Sequence, residues 1–78
     1  MLPLEAVPNF SEGRDRATID AIGEALAGHA RLLDVHSDAD HNRSVYTLVG
    51  SEEELVASLL AGIGCARERI DLREHAGA

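Results

Sequence analysis

Several residue types that usually betray a protein's class are scarce here: the 78 residues contain one cysteine, two prolines and no tryptophan. A lone Cys65 rules out an internal disulfide framework, so the expected setting is the reducing cytoplasm. Lysine is missing altogether, and all seven basic residues are arginines scattered along the chain. No basic run can track a phosphate backbone, and nucleic acid is not an expected partner. Long hydrophobic runs are also lacking, none approaching the ~20 residues needed to span a bilayer. The opening segment carries no basic stretch followed by an apolar core, so neither secretion nor membrane insertion is expected.

What remains is the composition of an ordinary folded domain, with 45% hydrophobic and 27% charged residues. A chain of this size can bury only about 60% of its unfolded surface, which predicts a thin stability margin. The net charge of -7 does not exclude acidic ligands, because one or two converging guanidinium groups offer a carboxylate a planar fork of donors.

Hydrophobic periodicity divides the chain. Leu4 to Phe10 reads as a short strand that ends near Pro8 or turns its Pro8 nitrogen to an open side, because proline cannot donate to a sheet ladder. Ser11-Glu12-Gly13 signals a turn and a helix start. From about Arg14 to Ala27, Ile19, Ile22 and Leu26 recur three and four apart, the pattern of an amphipathic helix, with Gly28 expected to stop it in a left-handed conformation. Leu32, Leu33 and Val35 form a second strand, and Val45 to Val49 a third, closed by Gly50. The polar cluster Ser37 to Asn42 between them predicts a hairpin turn. Ser51 with Glu54 forms a capping box, and Leu55, Leu59, Ile63, Ala66 and Ile70 carry a second helical stripe to about Leu72. Gly62 and Gly64 inside that helix are expected to permit close packing against the sheet.

The expected order is strand, helix, strand, strand, helix, with both helices on one face of a mixed or antiparallel sheet. This is a ferredoxin-like α+β pattern lacking its last strand, which would pair beside the first. The unprotected strand edge predicts a fragment that self-associates or is partly molten.

The chemically dense stretch is Asp34 to Ser44. Asp34, His36, Asp38 and Asp40 would share one face of a continued strand, yet a calcium loop fails, because Arg43 stands where the turn needs glycine and Val49 where the bidentate glutamate belongs. No metal is expected. His29 reads as a helix-end surface residue and His75 as part of an exposed tail.

Four segments in register carry a resemblance: Val7 to Gly13, Leu33-Asp34-Val35, Asn42 to Gly50, and Ile70 to Ala78. Together they resemble the N-terminal subdomain of glutamate formiminotransferases, and the chain, 1–78, is expected to be part of such a subdomain. The resemblance implies an enzyme of histidine breakdown that moves a formimino group from N-formimino-glutamate to tetrahydrofolate as co-substrate, in a cleft between two subdomains of a homodimer. His75-Ala76-Gly77-Ala78 match the start of a His-x-Gly-x-His-Pro-Arg run, which places the expected catalytic base beyond Ala78. The chain itself is then expected to be inactive, with no catalytic residue of its own. The substrate-binding residues expected within it are Asn9, His41, Asn42 and Arg43. Arg43 could hold a glutamyl carboxylate, and Asn9 and Asn42 offer donors and acceptors to an amidine or pterin. The alternative is a small non-catalytic α+β module that binds a partner through its open sheet edge.

Overall fold

The strand with the richest branched and aromatic content is the one the sheet is built around. The computed structural model describes residues 3–77, with side chains described from Pro3 to Ile70. Its elements are β1 (Leu4–Ala6), β2 (Asn9–Phe10), α1 (Arg16–Leu26), β3 (Arg31–Asp38), β4 (Arg43–Gly50) and α2 (Glu52–Gly77). β4 is paired on both sides and every pairing is antiparallel: β3 lies along one edge, β1 and β2 along the other.

β1 and β2 are two halves of one strand. Ala6 stands opposite Leu48 and Asn9 opposite Val45, so the register runs through the break without a slip. The Pro8 carbonyl still accepts from Tyr46 N at 3.0 Å. Only the missing proline N–H interrupts the ladder, as expected of a residue without a donor.

Alternation along β4 sorts its side chains. Ser44, Tyr46 and Leu48 are buried beneath the helices, while Val45, Thr47 and Val49 point to the opposite face. The core joins Ile19, Ile22 and Leu26 of α1 with Leu55 and Ala66 of α2 over Tyr46 and Leu48. Both helices therefore cover one face of the sheet, in the α+β, ferredoxin-like arrangement expected. Phe10 meets the Tyr46 ring edge to face at 5.5 Å, and Tyr46 Oη donates to the Ile19 carbonyl at 3.0 Å. A large buried ring thus keeps its polar tip satisfied.

The capping box forms as read, with Ser51 N donating to Glu54 Oε1 at 2.8 Å and Glu54 N to Ser51 Oγ at 3.1 Å. Ser58 is a device the sequence did not advertise: its buried Oγ accepts from Ala30 N at 2.7 Å and ties α2 to the start of β3.

Three glycine expectations need correction. Gly28 does not take the left-handed conformation; α1 closes through Ala27 N to Gly23 O at 2.9 Å and Gly28 N to Ala25 O at 3.3 Å. Gly62 does allow close packing, but chiefly between helices, since an added Cβ would strike Leu26 Cδ2 and lie 2.8 Å from its Cγ. A Cβ added at Gly64 would meet nothing within 4 Å among the described residues beyond its own stretch of helix.

Candidate functional site

The hairpin between β3 and β4 is longer than the sequence implied, because β3 continues to Asp38, which stands opposite Arg43. The polar residues Ser37 and Asp38 still fit a strand because their neighbours fix the register. Four residues, Ala39 to Asn42, make the turn. Asp38 organises it, one carboxylate oxygen accepting from Asp40 N at 3.0 Å and His41 N at 3.4 Å while the other meets His41 Nδ1 at 2.5 Å. The His41 contact is the main reason the Asp38 carboxyl is held below its ordinary range.

Asn42 leaves the turn at φ 50°, the left-handed region that asparagine tolerates better than most residues. Its Oδ1 accepts from Gly13 N at 3.0 Å, and Arg14 Nε donates to the Ala39 carbonyl at 2.8 Å. The segment leading into α1 therefore clasps the hairpin tip. The clasp is tight, because a Cβ on Gly13 would strike the Asp38 carbonyl oxygen and lie 2.5 and 2.6 Å from Arg43 N and O. Glycine is required there for space alone. Just before it, the buried Glu12 carboxylate accepts from Arg14 N and Asp15 N, both at 3.1 Å. Asp15 caps α1 by accepting from Ala17 N at 3.2 Å and Thr18 Oγ1 at 2.7 Å.

These contacts place the expected site residues. Arg43 is exposed at the rim, its backbone fixed by Gly13 and its position on the same sheet face as Val45. Asn9 and His36 flank Val45 from β2 and β3, so Asn9, His36, Asp38 and Arg43 gather on the face away from the helices. Asn9 is exposed, and its Nδ2 donates to the Val7 carbonyl at 3.2 Å. His41 sits on the turn against Asp38, apart from this group. Asn42 is drawn the other way, its side-chain oxygen engaged by Gly13.

Sequence reading missed Glu12 and Gly13. Their one signal was a glycine within a helix-start motif, which can mark close backbone approach. Among the described residues, no three or more His, Cys, Asp or Glu converge as a metal site would need. No described helix is long and apolar enough to cross a membrane. The His75 run lies outside the residues whose side chains are described.

The described residues thus form an open-faced two-layer sandwich with Arg43 exposed at a clasped hairpin tip. Residues 3–78 match the family described as formiminotransferase domain, N-terminal subdomain, and the chain belongs to that family. It is 46% identical over 76 residues to a glutamate formimidoyltransferase of Thermoplasma acidophilum, covering 95% of this chain and 25% of that protein. A glutamate formimidoyltransferase of Streptococcus pyogenes serotype M1 is 43% identical over 77 residues, with the same coverages. A formimidoyltransferase-cyclodeaminase of Gallus gallus is 43% identical over 76 residues, again 95% of this chain but 14% of that protein. The chain thus spans a quarter or less of the length of these relatives.

Proposed function

We propose that this chain forms one wall of the substrate cleft of a glutamate formimidoyltransferase, an enzyme that moves a formimino group from N-formimino-glutamate to tetrahydrofolate in histidine degradation. The observation that carries the reading is the clasped tip. The Gly13 contact fixes the Arg43 backbone, so its guanidinium leaves a rigid base and can receive a glutamyl carboxylate as a two-bond charged pair. Asn9 lies on the same face and offers an amide to the amidine or the pterin; His41 borders the tip; the Asn42 amide nitrogen remains for a ligand while its oxygen serves the clasp. The 78 residues alone are inactive on this reading, and the working enzyme is a cytoplasmic homodimer.

The test is a chimera in which this chain replaces the matching quarter of the Thermoplasma protein. It should transfer formimino groups, and Arg43→Ala within it should raise KM for the amino-acid donor about 10- to 150-fold, the loss of roughly 1.5–3 kcal/mol for a charge-assisted pair. KM for the folate should move far less. A folded but inactive chimera, or an Arg43→Ala variant with unchanged donor kinetics, defeats the proposal.

A further inference from the structure

The two strands that meet at the clasped tip end on opposite charges. Asp38, the last residue of β3, stands directly opposite Arg43, the first of β4. Their neighbours Ser37 and Ser44 share the helix side of the sheet, where Ser44 is buried, so by alternation Asp38 and Arg43 both leave the open face. Facing residues of an antiparallel pair hold their Cβ atoms about 5 Å apart, and opposite charges there attract. A cross-strand ion pair is therefore the contact this register favours. It does not form. Among the described residues Arg43 has no ion-pair partner, and the carboxylate across from it is paired with His41 instead.

Asp38 is turned away because the turn uses its whole carboxylate. Oδ1 accepts from Asp40 N at 3.0 Å and from His41 N at 3.4 Å, while Oδ2 meets His41 Nδ1 at 2.5 Å. The two oxygens have different jobs. The bonds at Oδ1 are those with which an aspartate commonly closes a turn onto backbone two residues on. Oδ2 takes no part in closing the turn, and it is the imidazole that occupies it, through a contact of the short, charge-assisted kind. That contact is also the first cause of the lowered Asp38 titration.

We propose that His41 is a positioning residue that keeps Asp38 off Arg43, leaving the Arg43 guanidinium open to the carboxylate of an incoming ligand. This role rests on Arg43 receiving that carboxylate, as proposed above. Without the imidazole, Oδ2 is an unpaired acceptor directly across the ladder from Arg43. An internal ion pair then competes with the ligand. Two other polar side chains at the tip are already engaged, Arg14 Nε with the Ala39 carbonyl at 2.8 Å and Asn42 Oδ1 with Gly13 N at 3.0 Å. The arrangement reconciles an acid with the arginine facing it: the turn needs the acceptor that Asp38 supplies, and His41 averts the charge that comes with it. Because His41 acts through Asp38, its removal should matter only while the carboxylate is present.

The test has a kinetic and a spectroscopic part. In the chimera described above, His41→Ala should raise KM for N-formimino-glutamate about two- to fivefold, the strength of an exposed ion pair. Neither kcat nor KM for the folate should move comparably. Adding Asp38→Asn, which abolishes the competing charge, should return the donor KM to within about twofold of the parent. A tip that had merely loosened would not be rescued, since Asp38→Asn restores nothing to the turn. In the 78-residue chain, nuclear magnetic resonance titration of the Asp38 carboxyl carbon reads the pairing with no ligand present. Arg43→Ala should barely move the Asp38 midpoint while His41 is in place, and should raise it in the His41→Ala background, because a carboxyl that loses a neighbouring cation holds its proton more tightly.

An Asp38 midpoint that responds to Arg43→Ala equally with and without His41 overturns the assignment. So does a donor KM that stays raised in the double variant, or a His41→Ala chimera with the parent KM where Arg43→Ala raises it. If Arg43→Ala itself leaves the donor kinetics untouched, the carboxylate reading of Arg43 falls, and the titration decides by itself whether His41 keeps the two charges apart.

Discussion

Replacing Gly13 with alanine tests whether the α1 entry segment and the hairpin tip are one rigid unit. The new Cβ would strike the Asp38 carbonyl oxygen and stand 2.5 and 2.6 Å from the Arg43 nitrogen and oxygen. All three are backbone atoms of a paired strand end, so no side-chain rotation relieves the overlap. Forcing an extra carbon into packed structure costs about 1–3 kcal/mol, and retreat of the loop also loses the bond from Gly13 N to Asn42, a further ~1 kcal/mol. Against a total stability of about 4–12 kcal/mol for a chain of this length, a loss of about 2–3 kcal/mol is severe. It should lower the melting temperature by roughly 10–20 °C. Urea denaturation followed by far-ultraviolet circular dichroism, at one fixed chain concentration because association adds apparent stability, gives the measurement. Asn42→Gly supplies the control: it keeps the left-handed turn and removes only the acceptor, so it should cost about 1 kcal/mol. If Gly13→Ala unfolds within 0.5 kcal/mol of the wild type, a threshold of the order seen for harmless surface changes, the clasp is not rigid and the case for a fixed Arg43 falls with it.

Other substitutions probe the core. Ser58→Ala removes the acceptor of the buried Ala30 N–H and should cost about 1–3 kcal/mol in thermal unfolding; a neutral result would mean that water reaches that amide. Gly62→Ala gains up to about 1 kcal/mol of helix propensity but drives a methyl into the fully buried Leu26, so a net loss of about 0.5–2 kcal/mol is expected, and net stabilisation would show that the helices can separate. Burial pushes the Tyr46 phenol above its ordinary value, so the folded state keeps a proton that the unfolded chain releases. That contribution is whole below about pH 10 and fades as pH rises through the folded value. Wild type should therefore lose stability above pH 10 more steeply than Tyr46→Phe, and parallel alkaline curves would contradict the assignment.

Much of the architecture was decided by patterns that act locally. The spacing of Ile19, Ile22 and Leu26, the Ser51–Glu54 box and the branched run from Val45 to Val49 each favour one backbone conformation, because periodicity and capping depend on neighbours within a few residues. The order of these elements then restricted the topology, while Pro8, expected to end the first strand or face an open side, instead turns toward β4 with the register running on through it. The resemblance of four segments in register pointed to the family from the sequence alone.

Tertiary structure decided what depends on distant residues meeting. Gly13 looks like any turn glycine until Asp38 and Arg43 arrive against it, and Glu12 reads as a surface acid until the entry to α1 folds over it. Asn42 offered both ends of its amide in the sequence, but the clasp engages the oxygen. Gly62 and Gly64 are indistinguishable by propensity, and only the position of Leu26 gives one of them a packing role. The stripe of Val56, Leu60 and Ile63 has the same kind of spacing as the buried seam beside it; which of two apolar lines on one helix faces the core is set by where the sheet lies, and no local pattern contains that information.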